Sequence, residues 1–111
     1  MEYDNYTHAE WRVTPGKDEE FIAAWRDLGD VFGSLDRPPV WGTLLQSEAE
    51  PSVFYSFGPW ASAEDVAAMR ANDDALAALK RVSDLCDSAT PGPCRRVLHI
   101  DLSDRHAQNP S

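Results

Sequence analysis

The chain has 111 residues, 42% of them hydrophobic, and a formal net charge of −9. That length suits one domain with a modest core, and the acidity argues against nucleic acid or an anionic membrane as partner, since both demand a basic face. No apolar run approaches the ~20 residues of a membrane span, and the polar, acidic opening MEYDNYTHAE is unlike a secretory leader, so a soluble cytoplasmic protein is expected.

Residues 6–13, YTHAEWRV, alternate as a half-buried strand does, with Thr7, Ala9, Trp11 and Val13 on one face and Tyr6, His8, Glu10 and Arg12 on the other. The first face suits a covering layer of helices; the second is too polar for a dry core. Thr14-Pro15-Gly16 makes a turn, and Lys17-Asp18-Glu19-Glu20 opens a helix with acids where its dipole favours them. Phe21, Trp25, Leu28 and Phe32 recur at helical spacing and predict one buried stripe, ended by Gly33-Ser34 and the Arg37-Pro38-Pro39 loop. Residues 40–47 read as a second strand with Gly42 a bulge or close-approach point. A short acidic turn over 48–51 joins it to a third strand, 53–57, as an antiparallel hairpin.

Gly58-Pro59 stops the third strand and leaves Trp60 at the rim of the sheet, either plugging the core or walling a pocket mouth. Ser62 stands at an N-cap position, with Asp65 three residues on as a weak capping box. Asn72-Asp73-Asp74 supplies a second set of cap residues, so two helical pieces with a kink at Asn72 are expected, the second running through Leu76, Leu79, Val82 and Leu85 or Cys86. Residues 90–93 read as a Pro/Gly loop. The last strand is placed at 95–102, with Leu98, Ile100 and Leu102 on one face and Val97, His99 and Asp101 on the other. A frayed polar tail follows over 103–111. Cys86 and Cys94 flank the loop; a disulfide closing it is geometrically conceivable, but cytosolic thiols are usually reduced and no histidine stands at a zinc-ligand spacing. They are read as free thiols, and no metal site is expected.

The order strand, helix, strand, strand, helix pair, strand is the ferredoxin-like α+β arrangement, an antiparallel four-stranded sheet with one face under helices, forming a single domain over residues 1–102. Its first and last strands are antiparallel neighbours. Their apolar sides would go under the helices together, and their other sides would bring His8, Glu10 and Arg12 beside His99 and Asp101. The uncovered sheet face needs a cover. A second copy supplies one by closing two sheets into a barrel, so a homodimer is expected.

Three stretches, VTPGKDEEF, WGTLLQS and FxSFGPWxSxED, resemble the antibiotic biosynthesis monooxygenase family of dimeric α+β barrels over roughly residues 6–102. The resemblance implies a homodimer with a pocket in each subunit between sheet and helices, where some members oxidise anthrone-type polyketides with molecular oxygen and no metal or flavin. Trp60 matches the family's strand-end tryptophan. Ser56 stands where anthrone-oxidising members carry an asparagine, which removes one donor for a substrate carbonyl. Haem-degrading members need a histidine and a second tryptophan on the following helices, and residues 66–82 contain neither.

Cofactor-free oxygenation needs a base that generates an electron-rich anion and a desolvated pocket that stabilises it. His8 and His99 are the candidate bases, Glu10 or Asp101 the groups that could orient them, and Arg12 or Arg70 the anion stabilisers. Trp60, Tyr55, Trp25 and Trp41 could stack on a small aromatic ligand, with Ser56 beside them. Each has a plainer reading: a strand histidine opposite an acid is often a satisfied polar pair, Arg12 could join a cross-strand ion pair, and Arg70 could be a solvated helix residue. No nucleophile motif or phosphate loop is present. The two functional expectations are a cofactor-independent monooxygenase of a small aromatic, polyketide- or quinol-like substrate, and a non-catalytic dimeric binding or accessory protein.

Overall fold

A computed structural model describes residues 3–103. The elements follow one another as β1 (Asn5–Val13), α1 (Asp18–Gly33), β2 (Thr43–Gln46), β3 (Val53–Trp60), α2 (Ala63–Arg70), α3 (Asp73–Ser83) and β4 (Cys86–Arg95). The strands form one antiparallel sheet in the order β2-β3-β1-β4, which is the ferredoxin-like α+β arrangement.

β1 sits between β3 and β4, and its register sets what faces the helices. Trp11 lies opposite Phe54 and Ala89, Ala9 opposite Ser56 and Pro91, and Thr7 opposite Gly58 and Pro93. Alternation puts these residues on the inner face. The outer face carries Tyr6, His8, Glu10 and Arg12 beside Tyr55 and Phe57. α1 starts without a side-chain cap but with Asp18, Glu19 and Glu20 in its first turn, and it buries Phe21 and Leu28 while Trp25 and Phe32 stay half-buried. Ser62 caps α2 by accepting from the Asp65 N–H at 3.1 Å, and Asn72 caps α3 by accepting from the Ala75 N–H at 2.9 Å. The kink expected at Asn72 is therefore a true break between two separately capped helices.

The last strand is not where its hydrophobic alternation places it. β4 covers 86–95, including the Pro91-Gly92-Pro93 run read as a loop, and residues 96–102 lie outside the sheet. The reason is positional. β4 is an edge strand, and Pro91 and Pro93 are two residues apart, so their nitrogens face the same edge and the ladder to β1 loses nothing. With the length of β1 already paired to 86–95, Leu98, Ile100 and Leu102 do not go under the helices; they are exposed, as is Val97. β2 is likewise shorter than expected, and the close approach foreseen at Gly42 falls on Gly58. A Cβ on Gly58 would run into the Trp41 carbonyl oxygen, whereas one on Gly42 would meet only ordinary contacts with the Trp25 ring. Apart from Ser103, the expected tail lies outside the described residues.

The strand assignment also decides the cysteines. Cys86 and Cys94 stand near opposite ends of β4, about 26 Å apart at ~3.3 Å per residue, far beyond disulfide reach; both are free. Burial, helped by the neighbouring Asp87 carboxylate, pushes the Cys86 thiol up to about 11, while Cys94 is exposed. Because the thiolate is the reactive form, iodoacetamide at about pH 8 is expected to alkylate Cys94 and spare Cys86, with Cys86 labelling rising only as the pH nears its raised value. Peptide mass spectrometry showing equal labelling near neutrality would contradict this.

Candidate active site

The buried side chains fall into two groups. One gathers Trp11, Phe21, Leu28, Phe54 and Val82; the other gathers Trp60, Val66, Met69 and Ala75. Among the described residues only Phe32 and Leu79 pack against both. Between the groups, under the inner face of the sheet, lies a cavity of about 760 Å³ with Trp11 and Leu28 on one side and Trp60 and Met69 on the other. Its size falls in the range of small-molecule sites.

Two hydroxyls lie on the sheet floor of this cavity, each held by an indole. Trp11 Nε1–H donates to Ser56 Oγ at 2.9 Å, and Trp60 Nε1–H donates to Thr7 Oγ1 at 3.0 Å. Thr7 and Ser56 are diagonal neighbours on β1 and β3. A hydroxyl has one proton to give, and neither of these donates to another described residue. Each hydroxyl, its oxygen accepting from an indole, keeps a proton free to donate to a ligand in the cavity.

Trp60 is both plug and wall. It is 1% exposed, meets Phe32 edge-on at 5.6 Å between ring centres, and lines the cavity. Its position comes from β3 running to residue 60, through Gly58 and Pro59 instead of stopping before them. Gly58 lets the 39–42 loop close over the strand end, where the Val40 N–H donates to the Pro59 carbonyl at 3.0 Å.

Of the residues singled out from the sequence, Trp25, Trp41, Ser56, Trp60 and Arg70 line the cavity, and so does the strand position of His8. The His8 ring itself stacks on Tyr55, 6.3 Å between centres, and that stack belongs to the outer face. Tyr55 therefore does not line the cavity. Trp41 stands at its rim, edge-on to Tyr6 and Phe57. Arg12 is half-exposed beside Glu10 and Glu50, at 3.8 and 3.5 Å, as a surface ion pair. His99 lies in the exposed segment beyond β4, not on the sheet face opposite His8, whose partner is Gly92. The grouping of His8, Arg12, His99 and Asp101 on one face is thus corrected: it depended on a last strand at 95–102. Asp101 instead accepts from the Ser103 N–H and hydroxyl, which holds its carboxyl below the usual range.

Thr7 escaped the sequence reading. The alternation of β1 had put it on the inner face, but nothing local showed that Trp60, 53 residues away, would reach it. Among the described residues no group of three or more histidine, cysteine or acidic side chains is arranged to hold a metal ion.

No protein-family model matches the chain, and no curated protein matches its sequence. Solved structures match its fold. SnoaB, a cofactor-independent oxygenase from Streptomyces nogalater, solved as a point variant, superposes with a TM-score of 0.76 at 15% identity, covering 87% of this chain and 97% of that one. A candidate antibiotic biosynthesis monooxygenase from Bordetella bronchiseptica gives 0.75 at 17% identity, over 87% and 100%. A conserved protein from Methanosarcina mazei Go1 gives 0.74 at 15%, over 85% and 93%. The likeness read from the sequence motifs is met at the level of the fold.

Proposed function

We propose that the chain is a cofactor-independent monooxygenase of a planar aromatic substrate, working as a homodimer. The observation that carries this reading is the pair of hydroxyl donors, Thr7 and Ser56, fixed by indoles on the floor of an aromatic-walled cavity. Support from outside the chain is the shared fold with SnoaB, described as a cofactor-independent oxygenase.

The chemistry follows from what the walls offer. An anthrone-type methylene flanked by aromatic rings loses a proton to give an enolate, whose oxygen would accept from Ser56 and Thr7. Donors already aimed at that oxygen stabilise its charge without rearranging. The anion then reduces molecular oxygen, and the balance is CH2 + O2 → C=O + H2O. Among the described residues no carboxylate lines the cavity, and the His8 imidazole stacks on Tyr55 at the other face of the sheet. The reading therefore favours substrates acidic enough to lose the proton to water at the mouth.

The dimer rests on two apolar surfaces. The outer sheet face bears the half-buried Tyr6, Tyr55 and Phe57, with the exposed Trp41 and Leu45 at its edge, and the segment after β4 exposes Val97, Leu98, Ile100 and Leu102. Both suit a second copy as cover.

The test is oxygen uptake with 1,8-dihydroxyanthrone at micromolar protein, alongside sedimentation. The expected result is uptake above the buffer rate, one O2 consumed per quinone formed, by a dimeric species. The absent interior base favours one other reading, a dimeric binding or accessory protein. Tight binding of the anthrone with no uptake above background would establish that reading instead.

A further inference from the structure

The chain carries 19 acidic side chains against 10 basic ones, yet among the described residues the cavity wall includes Arg70 and Lys80 and no aspartate or glutamate. The sign of the charge along that wall is opposite to that of the whole protein. Lys80 is already engaged, its ammonium lying 3.1 and 2.9 Å from the two oxygens of Asp84. Arg70, in the last turn of α2 and exposed, has no ion pair or side-chain hydrogen bond with any described residue. Among the other polar side chains on the wall, Thr7 and Ser56 have protons to give and the indoles are donors only, whereas Ser83 has given its proton to the Lys80 carbonyl. Among the described residues no side-chain carbonyl or carboxylate lines the space.

From this geometry we infer that the ligand of the cavity is a planar aromatic anion: a ring carbonyl or enolate oxygen against Thr7 and Ser56, and a separate anionic oxygen, of the carboxylate type, against Arg70. This rests on the cavity being the ligand site and names the class of molecule it takes. A guanidinium at the mouth offers a carboxylate a planar, two-pronged partner.

The experiment measures the affinities of two matched probes, 9,10-anthraquinone-2-carboxylate and 9,10-anthraquinone-2-carboxamide, by tryptophan fluorescence quenching. Both are planar and carry ring carbonyls; only the first is charged. The full chain is expected to bind the carboxylate about tenfold tighter or more, the difference a charge-assisted hydrogen bond makes. Arg70→Gln is expected to erase that preference and leave carboxamide binding unchanged, and so is salt at about 1 M, where the screening length is ~3 Å. Thr7→Val should weaken both probes together. If Arg70 only offsets the negative end of α2, Arg70→Gln shifts the melting temperature and leaves the preference intact, which overturns the inference. Equal affinity of the two probes for the unmodified chain, or binding of neither, also overturns it. Quinones are already oxidised, so this result stands apart from the oxygenase reading, which the uptake assay alone decides.

Discussion

Trp60→Ala is expected to lower stability by about 3–5 kcal/mol, the range for removing a large buried aromatic from a core. The ring is 1% exposed and packs edge-on against Phe32. Its loss would extend a cavity that already separates the two halves of the core, so the surroundings have little left with which to fill the space. Trp60→Phe keeps most of the apolar volume but removes the indole N–H that holds Thr7. That variant should recover much of the stability, remain folded, and still bind a flat aromatic ligand more weakly, because the Thr7 hydroxyl is no longer fixed as a donor. Urea denaturation and ligand titration of both variants separate the two roles. If binding simply tracks stability in both, Trp60 is packing and does not contact the ligand.

Ser56→Ala is expected to cost about 1–3 kcal/mol, more than a lost surface hydroxyl would. The hydroxyl is the acceptor for Trp11 Nε1–H at 2.9 Å, and Trp11 is 3% exposed, so the alanine leaves a buried donor with no partner. Trp11→Phe removes the donor itself and leaves a hydroxyl that has other outlets, including the cavity. The two changes should therefore be non-additive, with a coupling of about 0.5–3 kcal/mol in a double-mutant cycle. Simple additivity would mean the bond contributes nothing net. Oxygen uptake measured on the same variants adds an independent reading, since a Ser56→Ala chain that stays folded should lose turnover if that hydroxyl meets a developing oxyanion.

Much of this architecture is written in local chemistry. The alternation of YTHAEWRV put Thr7, Ala9, Trp11 and Val13 on one face, and that face is the inner one. Phe21 and Leu28 at helical spacing lie buried, and Ser62 and Asn72 cap the helices they precede. These features depend on a few consecutive residues and on rules of period and capping that act within one turn or one strand. Element type and order, and hence the ferredoxin-like arrangement, followed from them.

Whatever depended on pairing between distant segments did not follow. Residues 95–102 alternate as a strand should, while residues 86–95 contain two prolines and a glycine, so local pattern favours the wrong segment. Only the competition for one side of β1 decides it, and an edge strand tolerates prolines whose nitrogens face away from the ladder. That single shift moved His99 off the sheet and dissolved the polar cluster expected around His8 and Arg12. The same holds for the site. Thr7 and Trp60, 53 residues apart, and Trp11 and Ser56, 45 apart, meet because β1 and β3 adopt one register and the helices leave a gap above them. A hydroxyl in a strand carries no mark of which indole will reach it. Register and the gap between two cores belong to the folded chain as a whole, so the sequence alone showed which residues of β1 and α1 face inward, and only the tertiary structure showed which residues face one another across a cavity.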